Sequence, residues 1–297
     1  MPDTNIAITE TNLTHLPLLH RGKVRDIYSI DNEHLLIVAT DRLSAFDVIL
    51  PTPIPGKGAI LASIANFWFK RCEKIIANHC STMDLREVLT DEREYQTLRH
   101  HAVIVKKMNN LPVEAIVRGY IAGSGWKDYR ENGTLCGIKL PGGLRQAEKL
   151  PQNVFTPSTK AAVGDHDENV TFDEVVKIVG RQMAEQMRDV ALLIYEQAAE
   201  YARSRGIIIA DTKFEFGTNK AGDLVLIDEV LTPDSSRFWS AQDYRVGTSP
   251  ASYDKQIIRD YLETLDWDKT APGPELPQEI VDKALAKYRE VQRKLLD

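Results

Sequence analysis

Nowhere in these 297 residues do eighteen consecutive apolar residues occur, and the opening MPDTNIAITETNL has neither a cationic start nor an apolar stretch. Neither a membrane span nor a secretory leader is expected, and the sequence reads as cytoplasmic. Cysteine is scarce and odd in number: Cys72, Cys80 and Cys136 form no C-x-x-C pair. That pattern excludes a disulfide framework and a zinc ribbon, and leaves inert thiols as the expectation. A basic excess is also missing. Lysine and arginine number 37 against 43 acidic residues, and a net charge of −6 excludes a general nucleic-acid binder. The chain lacks G-x-x-x-x-G-K-[ST], G-x-G-x-x-G, H-E-x-x-H and G-x-S-x-G, which sets aside the commonest nucleotide folds, zinc proteases and serine hydrolases.

What is present is ordinary globular material, 43% hydrophobic and 27% charged, enough for one or two lobes. KVRDIYSI and HLLIVAT flank the turn-forming triplet DNE and predict a β-hairpin opened by Gly22. AVIVKKM predicts a further strand, followed by a hinge at Pro112 and then the strand VEAIVRGYI. Thr171 and Glu174 fit a capping box. Val175, Val179, Met183, Val190, Ile194, Ala198 and Tyr201 carry helical spacing onward, with a break or kink possible at Gly180. GIIIADTKFEFG and LVLIDEVL around NKAGD predict a second hairpin, and Pro277–Leu296 a terminal amphipathic helix.

The chemistry-bearing residues concentrate in that second hairpin. Alternation puts Asp211, Lys213 and Glu215 on one strand face and Thr212, Phe214 and Phe216 on the other, while the partner strand supplies Asp228 and Glu229. Two carboxylates and a lysine suit a magnesium ion that also holds phosphates. The same residues also suit the exposed side of a half-solvated strand. The apolar Ile207–Ala210 run before them favours a buried strand, whose charges need partners. Gly22, Lys23 and Arg25 combine a glycine turn with cations that could lie over phosphates. Lys106 and Lys107 end a strand shortly before Glu114, a layout that resembles the strand lysine and inter-lobe linker of protein kinases. Arg118 precedes the glycine-relieved Gly123-Ser124-Gly125, and arginine suits a carboxylate or phosphate.

Together the blocks RGKVRDIY at 21, ATDRLSAFDVIL at 39, EAIVRGYIAGSGWKDY at 114, FTPSTKA at 155, DENVTF at 167, IIIADTKFEFG at 207, IDEVLTPDSSRFW at 227 and SYDKQIIRDYL at 252 closely resemble the SAICAR synthetase family in its longer, single-function form. The resemblance implies an α+β fold of two lobes: residues 1–112 as an antiparallel-sheet nucleotide lobe distantly like that of kinases, and 113–297 as a larger mixed lobe, with ATP in the cleft. It implies a ligase that joins L-aspartate to 5-amino-1-(5-phosphoribosyl)imidazole-4-carboxylate (CAIR), with ATP as co-substrate, Mg2+ as cofactor and an acyl phosphate on the way.

Carried over by residue, Gly22, Lys23, Arg25, Lys106 or Lys107, and Glu114 would serve ATP. Arg118, Ser124, Ser236, Arg237 and Arg259 would bind the substrate's anionic groups. Asp47, Asp211 and Lys213 would lie near the reacting groups, and Glu215 and Asp228 would hold magnesium. Small molecules are the expected partners, with no nucleic acid and no membrane; the longer form implies a monomer, and composition leaves a dimer open. Two other readings use the same residues: a related phosphotransferase, which would not depend on aspartate, and a non-catalytic nucleotide-binding protein.

Overall fold

The computed structural model describes residues 6–160 and 168–297; Ala161 and Asp167, the ends of two blocks quoted above, lie outside the described residues. The chain divides into two compact units. One comprises the chain through Phe67, His79–Lys107 and Tyr253–Asp297; the other comprises Trp68–Asn78 and Met108–Ser252.

The first unit opens with β1 (Leu18–Arg21), β2 (Arg25–Ser29) and β3 (His34–Ala39), followed by the short hairpin β4 (Leu43–Ala45) and β5 (Val48–Leu50). Next come α1 (Lys57–Cys72), whose last turn counts with the second unit, then α2 (Leu85–Val88), α3 (Glu92–Leu98) and β6 (Ala102–Lys106). β1, β2, β3 and β6 form an antiparallel sheet in that order, so the expected hairpin is β2–β3, and Gly22 lies in the turn that joins β1 to β2. Tyr28, Leu36, Val38 and Ile104 on one sheet face close against Val88, Leu89 and Leu98 of the helical segment. Burial of each such side chain stabilises by about 1.5–3 kcal/mol. Asp84 and Asp91 cap α2 and α3 by accepting from Arg86 N and Glu94 N.

The second unit is built on β7 (Asn109–Tyr120), α4 (Gly123–Asn132), β8 (Thr134–Leu135), β9 (Ile138–Lys139), β10 (Lys149–Phe155) and β11 (Ser158–Thr159). It continues through α5 (Phe172–Val179), α6 (Arg181–Ser204), β12 (Ile207–Thr218), β13 (Leu224–Ile227) and β14 (Ser236–Ser240). Its main sheet runs β10-β7-β12-β13, with β11 on β7 and β14 on β12. α6 lays Ala184, Met187, Ala191, Ile194, Tyr195, Ala198 and Ala202 inward at three- and four-residue spacing. Tyr195 donates its hydroxyl to the Ile209 carbonyl at 2.6 Å. A Cβ at Gly119 would sit 2.2 Å from that hydroxyl oxygen, so β7 needs glycine where α6 approaches.

The chain then returns to the first unit with α7 (Gln256–Leu262) and α8 (Gln278–Leu296). Leu276 N donates to Thr52 Oγ1 at 2.9 Å, and Gln292 Nε2 donates to Ser63 Oγ at 2.6 Å. These contacts over more than two hundred residues are why a single cut near Pro112 does not describe the division.

Two local expectations change, at Pro112 and at Asp228, and one, the break at Gly180, is met. Pro112 lies inside β7 and makes no hinge. It falls between the pairs Asn110–Gly217 and Glu114–Glu215, at a register irregularity where a residue without an N–H is tolerated. The helical pattern from Thr171 is broken at Gly180 (φ +84°) into α5 and α6, and the Thr171–Glu174 capping box is formed. β13 stops at Ile227, because Asp228 turns the backbone with φ +67°; Asp228 and Glu229 therefore stand just beyond the strand.

Candidate active site

In the second unit the sheet register lines up Arg118 on β7, Asp211 on β12 and Arg237 on β14. Both guanidinium groups donate to the same Asp211 oxygen, at 3.1 and 2.6 Å, with side-chain exposures of 4%, 9% and 22% for Arg118, Asp211 and Arg237. Arg118 also donates to Thr156 Oγ1 at 3.1 Å and to Ser124 Oγ at 3.3 Å. Burial lowers the Arg118 pKa, and the Asp211 charge works against that shift.

Ser124 stands in the first turn of α4, whose N-cap Ala122 makes no side-chain cap. Gly123 (φ +55°) permits close packing here, since a Cβ would meet the Arg237 guanidinium at 2.2 Å. The glycine-relieved segment is thus a helix N-terminus beside two arginines that share one carboxylate. Two guanidinium groups beside a helix N-terminus with no side-chain cap are the composition of an anion site. Ser236 does not join it. As the neighbour of Arg237 on a strand it faces the other way, and its hydroxyl meets Thr212 Oγ1 at 2.8 Å.

Two residues further along β12, about 7 Å at strand spacing, Lys213 donates to Glu114 Oε1 at 2.5 Å and to Glu215 Oε1 at 3.2 Å. Glu114 also accepts from Ser158 Oγ at 3.1 Å, so it joins the Lys213 group. Burial opposes the Lys213 charge, but Glu215 and Glu114, with Asp228 adding to them, outweigh it and hold its pKa above the usual lysine value. The other oxygen of Glu215 accepts from Lys160 Nζ at 2.5 Å.

Lys160, Thr156 and Ser158 were not assigned roles from sequence, although all three lie in the FTPSTKA block. Their signal was that block, and their contacts with Arg118, Glu114 and Glu215 depend on the chain from β10 through β11 running beside β7. Among the described residues no group of three or more histidines, cysteines or acids could hold a metal ion, so an all-protein cage is not formed. Glu114, Glu215 and Asp228 nevertheless set three carboxylates against two ammonium groups. Such hard oxygen donors suit a magnesium ion completed by water and phosphate oxygens.

In the first unit, Lys23 Nζ donates to Asp47 Oδ1 at 2.5 Å, with both side chains more than half exposed. Phe46 (φ +51°) and Asp47 (φ +64°) are the two loop residues of the β4–β5 hairpin. Positive φ at both positions is the twist such a turn requires, and without glycine it is strained. Arg25 begins β2 beside the Gly22 turn. Lys107 donates to Ser29 Oγ at 3.0 Å and to the Asp31 carbonyl at 2.5 Å, and so serves the fold. Lys106 is exposed, with no side-chain partner among the described residues. Arg259 is half-buried on α7 and makes no side-chain hydrogen bond or ion pair among them.

Burial pushes the Cys72 thiol up to about 12 and the Cys136 thiol up to about 11. No helix among the described residues is long and apolar enough to cross a membrane.

Known proteins similar to this chain are consistent in kind. The chain is 59% identical to the phosphoribosylaminoimidazole-succinocarboxamide synthase of Thioalkalivibrio sulfidiphilus (strain HL-EbGR7), over 97% of each chain. The SAICAR synthase from Saccharomyces cerevisiae complexed with SAICAR superposes with a TM-score of 0.89 at 43% identity, covering 97% of this chain and 98% of that one. A SAICAR synthetase in complex with ADP superposes with a TM-score of 0.69 at 25% identity, covering 93% and 96%. A family model for SAICAR synthetase matches residues 18–274, and with that span and those identities the chain belongs to the SAICAR synthetase family.

Proposed function

We propose that the charged rows of the second unit bind the imidazole nucleotide of this family's reaction and activate its carboxylate. SAICAR synthetases catalyse the ATP-dependent ligation of L-aspartate to CAIR in purine biosynthesis. A carboxylate is a poor acyl donor, so the reading runs in two steps. The CAIR carboxylate takes the terminal phosphoryl group of ATP and ADP leaves. The aspartate amine then attacks the acyl carbon, phosphate departs with the bonding electrons, and the amine gives up a proton as the amide forms.

The observation that carries this reading is the order of charges along β12. A two-arginine site at a helix N-terminus lies at Asp211, and a lysine–carboxylate group lies at Lys213 and Glu215. From Asp211 to Glu215 the strand advances about 13 Å. That is the scale of a nucleotide with a phosphate at one end and a carboxylate at the other. In this reading Arg118, Arg237 and Ser124 bind the 5′-phosphate, and Lys213 neutralises charge on the carboxylate and the phosphoryl group it receives. Glu215 and Asp228 would hold Mg2+, which when bound supplies positive charge to the phosphates. Lys160, now on Glu215, would be free to meet a substrate anion. In the first unit, Lys23 and the Gly22 turn face the ATP phosphates, with Lys106 the lysine of its pair left available.

The test follows ADP release and product absorbance together, with ATP, Mg2+ and CAIR, with and without aspartate. Both should rise only when aspartate is present, and Lys213→Ala should lower kcat/KM at least about 30-fold, the scale of one lost charged contact. ADP formation indifferent to aspartate would replace the ligase reading with a phosphotransferase. Near-normal turnover by Lys213→Ala would remove that residue from the site.

A further inference from the structure

Arg42, in the segment between β3 and β4, was given no role by the sequence, yet its guanidinium is one of the most heavily bonded groups of the first unit. Nε donates to the Lys23 carbonyl at 3.2 Å, and one terminal nitrogen donates to the Gly22 carbonyl at 2.9 Å, the Arg25 carbonyl at 3.2 Å and Asp26 Oδ1 at 2.8 Å. The other terminal nitrogen donates to the Thr9 carbonyl. Asp26 is fully buried and its second oxygen accepts from Thr11 N and Thr11 Oγ1, which fixes the anion that orients Arg42. The remaining carbonyl of the turn, that of Val24, accepts from Thr40 N at 2.9 Å and Thr40 Oγ1 at 2.8 Å.

Four consecutive carbonyls, Gly22 through Arg25, are therefore turned toward Arg42 and Thr40. The peptide bonds here are trans, and in a trans peptide the C=O and the following N–H point in opposite directions. The amides of Lys23 and Val24 must then face away from Arg42, and neither has a hydrogen-bond partner among the described residues. Successive amides aimed outward from a turn form an anion-binding nest.

We propose that Arg42 is a positioning residue for ATP: holding the turn's carbonyls, it aims the Lys23 and Val24 amides at the polyphosphate. The inference rests on the reading that this turn faces ATP. A lysine at position 42 would keep a charge opposite Asp26 but could not span carbonyls on several sides, because its donors radiate from one atom.

The experiment measures KM for ATP, aspartate and CAIR, with kcat and thermal melting, in the full-length protein. Arg42→Lys should raise KM for ATP at least tenfold, with kcat within about threefold and the other KM values within about twofold. Thr40→Val, which removes one bond to the Val24 carbonyl at nearly constant shape, should raise KM for ATP about threefold and keeps the test open if Arg42→Lys does not fold. Lys23→Ala separates the two levels of the argument. If it leaves KM for ATP unchanged, the reading of the turn itself fails. If it raises KM for ATP while Arg42→Lys and Thr40→Val do not, the positioning role is overturned. A fall in kcat and melting temperature with KM for ATP unmoved would make Arg42 a structural clamp only.

Discussion

Replacing Asp211 by asparagine removes the carboxylate that a buried guanidinium group, that of Arg118, shares with the half-buried one of Arg237. Arg118 and Arg237 then face each other across an uncharged amide, at side-chain exposures of 4% and 22%. Breaking a buried ion pair by deleting one partner costs about 3–5 kcal/mol, because the surviving charge is left desolvated. For a protein of this size 1 kcal/mol corresponds to roughly 2–4 °C, so the apparent melting temperature should fall by about 10 °C. The deficit should be anion-dependent. Inorganic phosphate seated between the arginines and the α4 N-terminus replaces the missing charge, and a ligand at one hundred times its Kd stabilises by about 2.7 kcal/mol. Thermal melts of Asp211→Asn and the parent, each over a phosphate series with chloride as the ionic-strength control, read both effects. A variant that melts within 2 °C of the parent, or one stabilised no more by phosphate than the parent is, would refute the view that these arginines form a charged anion site.

Two further outcomes follow from the packing and the titration of single groups. Gly119→Ala places a Cβ 2.2 Å from the Tyr195 hydroxyl and should destabilise by about 1–3 kcal/mol. In a Tyr195→Phe background, where that oxygen is gone, denaturant titration should show the alanine costing less than half as much. Cys136 and Cys72, pushed up by burial from 9.0 to about 11 and about 12, stay protonated far above neutrality. At pH 8 the Cys136 thiolate fraction is about 100-fold below that of an ordinary thiol. Alkylation at pH 8 should therefore be slower by at least that factor in the folded protein, and should reach ordinary rates once the chain is unfolded.

Local chemistry made much of this protein legible from sequence. The capping box at Thr171 and the break at Gly180 announced themselves through residue type, and the DNE triplet placed the β2–β3 turn. Alternation put Asp211, Lys213 and Glu215 on one strand face, and family resemblance covered almost the whole length. These features depend on residues close together in the chain.

Pairing between distant segments was decided only by the tertiary structure. Register across β7, β12 and β14 gave Asp211 to two arginines and Lys213 to Glu114, a division that one strand's alternation cannot express. The same register sent Ser236 to the opposite face, and β11 brought in Lys160 and Ser158. The inward-facing carbonyls of the Gly22 turn are set by an arginine about twenty residues away. Residue type and short-range periodicity determine which elements form and which faces are charged. Which charges neutralise one another, and which are left to meet a ligand, is a property of contacts between segments, and therefore of the folded chain alone.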